Sequence, residues 1–150
     1  MHRDLEEVRR DAERIRRDYP RDVAEIAQRR WVRVMCDYSA DGVWAPGSIS
    51  PEWLPISPEL MLRIHEWQMW YERLPHEGFA LVSCDEAMRF AETGLAIAIQ
   101  VKRELPDWTV VYSDEGIWLD ERKPPPKGAI PIHDRPEYEY EIGQDMVADL

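Results

Sequence analysis

The sequence predicts an α/β fold of the α+β kind: a small mixed β-sheet covered by two or three helices, with a charged helix before it and an acidic C-terminal extension after it. Three observations carry this expectation. Two short β-branched and aromatic runs, WVRVMCDY at 31–38 and WTVVY at 108–112, read as strands. Between them lie two long helical segments with capping residues and apolar stripes. At 150 residues the chain is long enough for one domain that needs neither disulfide nor metal to hold a core.

Residues 1–29 form the first section, a charged helical segment lying against the domain. Val8, Ala12 and Ile15 make a thin apolar stripe at helical spacing, continued by Val23, Ile26 and Ala27. The phrase DYP breaks it, and Pro20 is placed to restart a second helix. Residues 1–30 hold nine arginines and eight acids, so the segment is nearly neutral and is no nucleic-acid-binding arm.

Residues 30–120 hold the α/β core. In ISPELMLRIHEWQMWYERLP, Ser57 is the N-cap and Pro58 the first helical residue, and Leu60, Ile64, Trp67, Tyr71 and Leu74 share one stripe. In SCDEAMRFAETGLAIAIQVKRELP, Ser83 and Glu86 form a capping box, followed by a broad face of Ala87, Phe90, Ala91, Gly94, Leu95, Ala98 and Val101. Gly94 costs a helix interior about 1 kcal/mol against alanine, which points to close packing there. A strand, two helices and a strand predict parallel outer strands. SDEG then turns into IWLD, a third strand, antiparallel to the second.

Residues 121–150 are a proline-rich linker, KPPPKG, and an acidic extension. PEYEYEIG alternates acids with Tyr138, Tyr140 and Ile142, the period of an edge strand with one wet face. It equally suits an extended tail that docks on something.

Composition excludes several function classes. The net charge of −11 repels nucleic acid and anionic membranes and attracts a basic partner at long range. No apolar run is long enough to span a membrane, and the N-terminus lacks a signal-peptide core, so a cytoplasmic location is expected. Two cysteines, Cys36 and Cys84, are expected to be reduced. The four histidines have no ligand spacing; HEWQM at His65 lacks the second histidine of a zinc-protease helix. No phosphate loop, dinucleotide fingerprint or nucleophile elbow is present, and no catalytic residue, metal or cofactor is expected.

The candidate partner-binding residues are therefore acidic and aromatic. Asp37 and Asp41 flank a turn in CDYSADGVW, where Gly42 supplies the positive φ. Trp44 and Trp53 lie in the proline-rich loop WAPGSISPEWLP, either folded back as a lid or exposed as an anchor patch. Trp70 points away from the stripe of its helix. Glu137, Tyr138, Glu139, Tyr140 and Glu141 complete the set, in a segment with acids and no base.

Taken together, DYSADGVW, LPISPELMLRIHEWQMWYE and ETGLAIAIQVKRELPDWTVVYSDE resemble a group of small bacterial proteins that includes immunity or accessory proteins of toxin systems. The resemblance covers residues 30–115 and brings no catalytic motif. It implies a non-enzymatic inhibitor that binds a basic protein partner such as a nuclease toxin. A small-molecule-binding or enzymatic domain with a pocket near loop 41–56 is the competing reading.

Overall fold

The computed structural model describes residues 3–74, 83–114, 124–135 and 138–148, and for Cys84 the backbone alone. Helix α1 (Leu5–Asp18) begins at Asp4, whose carboxylate accepts from the Glu7 N–H at 2.9 Å. Glu6 and Glu7 in its first turn and Arg16 and Arg17 in its last suit the helix dipole. Its buried residues are the expected Val8, Ala12 and Ile15. The chain breaks at Tyr19, and α2 (Pro20–Arg29) starts on Pro20. Val23, Ile26 and Ala27 are only half-buried, so the second part of the stripe rests lightly on the core.

Strand β1 (Trp31–Val34) leads through a hairpin to β2 (Val43–Trp44) and β3 (Ser48–Ile49), then to a single 3-10 turn at Pro51–Trp53. Helices α3 (Pro58–Arg73) and α4 (Cys84–Glu104) follow, then β4 (Thr109–Ser113), β5 (Ile130–Pro131), β6 (Glu139–Glu141) and α5 (Gln144–Ala148). The sheet order is β3-β2-β1-β4-β6-β5. As expected, β1 and β4 are parallel neighbours, in register from Trp31↔Thr109 to Val34↔Tyr112. Among the described residues, the other pairings are antiparallel.

Both long helices start where the caps predict. The Ser57 hydroxyl accepts from the Leu60 N–H at 3.3 Å, and that of Ser83 from the Glu86 N–H at 3.2 Å. A second, non-local device holds the start of α3. The carboxylate of Glu104, the last residue of α4, accepts from the Ser57 N–H at 2.6 Å and its hydroxyl at 2.9 Å.

The core lies between one sheet face and the α3/α4 layer. Val32, Val34, Val110 and Tyr112 meet Leu60, Ile64 and Trp67 from α3 and Phe90, Ile97, Ala98 and Val101 from α4. Fully burying a side chain of this size contributes roughly 1.5–3 kcal/mol. Gly94 is where α4 comes closest: a Cβ there would meet the Trp67 ring and lie 2.5 Å from Tyr112 Oη. Tyr112 donates to the Ala91 carbonyl at 2.6 Å, and Trp67 stacks on Phe90 at 5.3 Å. Packing therefore explains the glycine, as its sequence position suggested.

The C-terminal segment departs from expectation. Residues 139–141 form neither an edge strand nor a free tail, because β6 is inserted between β4 and β5. Tyr140 and Ile142 are core residues, and α5 then packs on α4 with Met146 buried. The physical reason is apolar: Tyr140 extends the inner row of Tyr112 and meets it edge-on at 5.9 Å. The edges of the sheet are instead β3 and β5, each two residues long. The strand expected at IWLD lies outside the described residues.

Candidate partner-binding surface

CDYSADGVW is a hairpin loop built as a turn. The Ala40 N–H donates to the Asp37 carbonyl at 3.2 Å, and Asp37 Oδ1 accepts from the Tyr38 N–H at 2.8 Å. Gly42 (φ 89°) closes the loop, its carbonyl accepting from the Met35 N–H at 3.0 Å. A Cβ on Gly42 would come 2.8 Å from Ile64 Cγ2, so the loop lies directly on α3.

Contact with α3 gathers acids and aromatics at one rim. Gln68, on α3, donates through Nε2 to the Asp37 carbonyl at 2.8 Å and to Glu72 Oε1 at 3.2 Å. Tyr38, 47% exposed, tilts against Tyr71 with ring centroids 5.2 Å apart. Trp70 is half-buried beside them, edge-on to Phe90 at 5.2 Å and donating to Glu86 Oε1 at 3.1 Å. Asp41 is half-buried, and burial pushes its carboxyl above the ordinary value. Glu52 and Glu72 push the same way, while His65 and Arg3 oppose them.

Beneath the rim lies an ionic group that the sequence reading missed. Glu52, in the 3-10 turn, is 2% exposed, and its Oε1 is 2.5 Å from His65 Nε2 on α3. Arg3 Nη2 stands 3.6 Å from the same oxygen and also pairs with Asp11 on α1. Burial alone would raise the Glu52 carboxyl, but the hydrogen bond and charge of His65 hold it below its usual value. The group pins loop 41–56 to α3 and to the N-terminal segment. His65 carried one weak signal, since Met61, His65 and Gln68 form a second row beside the apolar stripe. Glu52 carried none.

The other candidates are dispersed. Trp44 is half-buried and donates through Nε1 to the Met35 carbonyl at 3.0 Å. Trp53 is half-buried against Tyr19, ring centroids 5.4 Å apart. Each therefore lies between the buried lid and the open anchor. Glu139 is 8% exposed and pairs with Arg33 Nε at 2.8 Å, with Arg135 at 3.8 Å. Tyr140 is 2% exposed, and burial, then Asp114, raises its phenol far above the ordinary value. Tyr138 and Glu141 are half-buried, and Glu137 lies outside the described residues. Thus the structure brings Asp37, Asp41 and the C-terminal half of α3 together, whereas Trp53 sits on the α1–α2 side and β6 lies beyond β4.

A groove of about 180 Å³ borders the 41–56 loop, lined by Ile26, Arg29, Trp31, Ala45 and Pro46. It is smaller than typical ligand sites of roughly 300–1,000 Å³. Its single charged group, Arg29, pairs with Glu25 at 2.7 Å. Among the described residues, no three His, Cys, Asp or Glu side chains are arranged to hold a metal ion. No described helix is long and apolar enough to cross a membrane.

Residues 30–115 match the family model described as Serratia CdiI immunity protein-like. No curated protein and no solved structure matches the chain significantly. The family match runs from the start of β1 to the end of β4 and includes the whole rim. Because it spans more than half of the sequence, the chain belongs to the Serratia CdiI immunity protein-like family.

Proposed function

We propose that the chain is a cytoplasmic, non-enzymatic inhibitor that neutralises a basic toxin, such as a nuclease, by capping it with its acidic, Trp- and Tyr-bearing surface. Family membership supports the toxin-neutralising role. The observation that carries the surface assignment is that Gln68 ties Asp37 to Glu72 while Tyr38 packs on Tyr71, with Asp41 close enough to feel the charge of Glu72. Trp70 borders this centre, with Trp44 and Trp53 as flanking contacts. Tyr138, just before β6, and Glu141 within it contribute, while Glu139 and Tyr140 act by holding the strand in place.

The physics of such a surface is two-part. The net charge of −11 steers a basic protein toward it, and aromatic side chains with polar tips supply area that tolerates a wet rim. The same field disfavours nucleic acid, so the inhibitor engages the toxin rather than the toxin's substrate. Strand addition is a poor alternative, because β3 is bracketed by Pro46 and Pro51 and β5 contains Pro131.

The test is co-expression with the toxin encoded beside the gene, followed by association kinetics on the purified pair. Protection is expected, with an on-rate that falls as salt rises past a Debye length of about 8 Å. Asp37→Asn with Glu72→Gln should lower the on-rate while leaving the melting temperature nearly unchanged. Lack of protection, or an on-rate indifferent to salt and to both substitutions, refutes the proposal.

A further inference from the structure

One row of α3 receives the hairpin loop. Ile64, Gln68 and Glu72 stand four residues apart, so they lie one above the other on the helix surface. Ile64 meets Gly42, where a Cβ would come 2.8 Å from its Cγ2. Gln68 meets Asp37: its Nε2 donates to the Asp37 carbonyl at 2.8 Å and to Glu72 Oε1 at 3.2 Å. The same carbonyl accepts from the Ala40 N–H at 3.2 Å, so one lone pair serves the turn and the other the helix. What is held in this way is the solvent-facing part of the loop, since Asp37, Tyr38 and Ser39 are exposed. Ser39 has a φ of 60°, a left-handed conformation that a residue with a Cβ adopts at a cost. The helix itself has no need of an amide here. Gln68 is 4% exposed, a place that an apolar side chain of equal length would fill. Its Oε1 is buried and accepts no hydrogen bond from the described residues, so only its donors are used.

We infer that Gln68 is a positioning residue of the partner-binding surface, its amide fixing the Asp37–Ala40 turn and the Glu72 carboxylate in one arrangement before the partner arrives. This deepens the inhibitor reading above and rests on it for what the surface binds. The partner docks on a preformed rim, and the buried amide need not touch it. Charge and position act on different steps. The net charge steers the encounter and sets the on-rate, whereas the fit of short-range contacts sets how long the complex lasts. A turn released from α3 keeps its charges but also samples arrangements that no longer match the partner. Affinity falls by the fraction that still matches. Loss of the amide therefore acts on the off-rate, unlike loss of a carboxylate charge.

Gln68→Met keeps the length of the side chain and close to its volume while removing both donors. With the toxin encoded beside the gene, its off-rate is expected to rise about tenfold. Its on-rate and salt dependence should stay within about twofold of wild type, and its melting temperature within about 3 °C. Should this variant not fold, Gln68→Leu takes its place. An unchanged off-rate, a loss of affinity carried by the on-rate, or a melting temperature that falls in step with affinity overturns the positioning role. A second arm needs no toxin. Hydrogen exchange of the Ala40 N–H, which donates to the shared carbonyl, should be about tenfold faster in Gln68→Met. Exchange of the Ile142 N–H, bonded to the Val110 carbonyl at 2.8 Å, should be unchanged. Equal exchange at Ala40 in the two proteins overturns the inference even if both neutralise the toxin, and the inhibitor reading then stands. If wild type fails to neutralise the toxin, that reading falls, and the exchange arm alone decides whether Gln68 positions the turn.

Discussion

Removing the imidazole beneath the loop is the sharpest test of how the rim is held. In His65→Ala the Glu52 carboxylate, whose side chain is 1% exposed, keeps Arg3 at 3.6 Å as its cation, helped by hydrogen bonds from Ser50 and its own backbone N–H. Stripping one member from a buried pair costs about 3–5 kcal/mol. Arg3 remains and is 31% exposed, so water and a residual cation soften the loss toward the lower end, about 3 kcal/mol. For a chain of this length that lowers the melting temperature by about 6–12 °C. The control replaces both partners by apolar residues of similar size, Glu52→Met with His65→Phe, and is expected within about 1 kcal/mol of wild type. Urea unfolding followed by tryptophan fluorescence reads all three proteins. The pH dependence has a definite sign, because the folded Glu52 carboxyl is held below its usual 4.5. Its stabilising contribution is complete above about pH 4.5 and is lost as pH falls through the lowered folded value. The gap between wild type and His65→Ala should therefore narrow in acid, where a protonated Glu52 no longer needs the imidazole. A His65→Ala protein within about 0.5 kcal/mol of wild type, or a double variant as unstable as His65→Ala, would refute the argument.

Asp41→Asn should leave the isolated protein as stable at neutral pH, or more so. Its carboxyl is raised above 3.8 mainly by burial, so ionisation works against folding until pH falls through that raised value; thermal melts from pH 3 to 8 check this. Gly94→Ala gains about 1 kcal/mol of helix propensity but drives a methyl into Trp67 and Tyr112 at a cost of about 3 kcal/mol, a net loss of about 2 kcal/mol; a stabilised variant in urea unfolding would disprove the packing account. Gly42→Ala combines a φ of 89° with the Ile64 contact and should cost at least about 2 kcal/mol, read in the same way. Chelation with EDTA should leave the melting temperature and toxin affinity unchanged; a drop in either would reveal a metal.

What could be read from the chain depended on the range of the interaction. Ser57, Pro58 and Ser83 act within one helical turn, so the starts of α3 and α4 were legible residue by residue. Gly94 was legible because a glycine inside a strong helix needs a packing reason. The turn at Asp37 to Gly42 followed from local backbone preference. Alternation in residues 138–142 identified a strand but not its neighbours, and its burial depends on Tyr112 and Arg33, far back in the sequence. The acids there read as a wet face, yet Glu139 is nearly enclosed by its ion pair. The Glu52–His65–Arg3 group stayed hidden for the same reason: each residue looks ordinary until the loop, α3 and the N-terminus meet. Within the rim, Asp37, Asp41 and Trp70 were named from the chain, while Gln68 emerged only once its amide could be followed.

The position of β6 has a bearing on timing inside the producing cell. Strand β6 is made after both β4 and β5, yet it fills the place between them in the sheet. While the ribosome is still working through the residues between β4 and β6, the β4 edge stands open and Tyr112 lacks its neighbour Tyr140. Translation runs at about 5–20 residues per second, so each new molecule spends seconds as a protein that can neither finish its core nor guard that edge. Whatever the finished sheet binds can therefore be bound only by molecules whose synthesis has passed β6, never by the nascent chain.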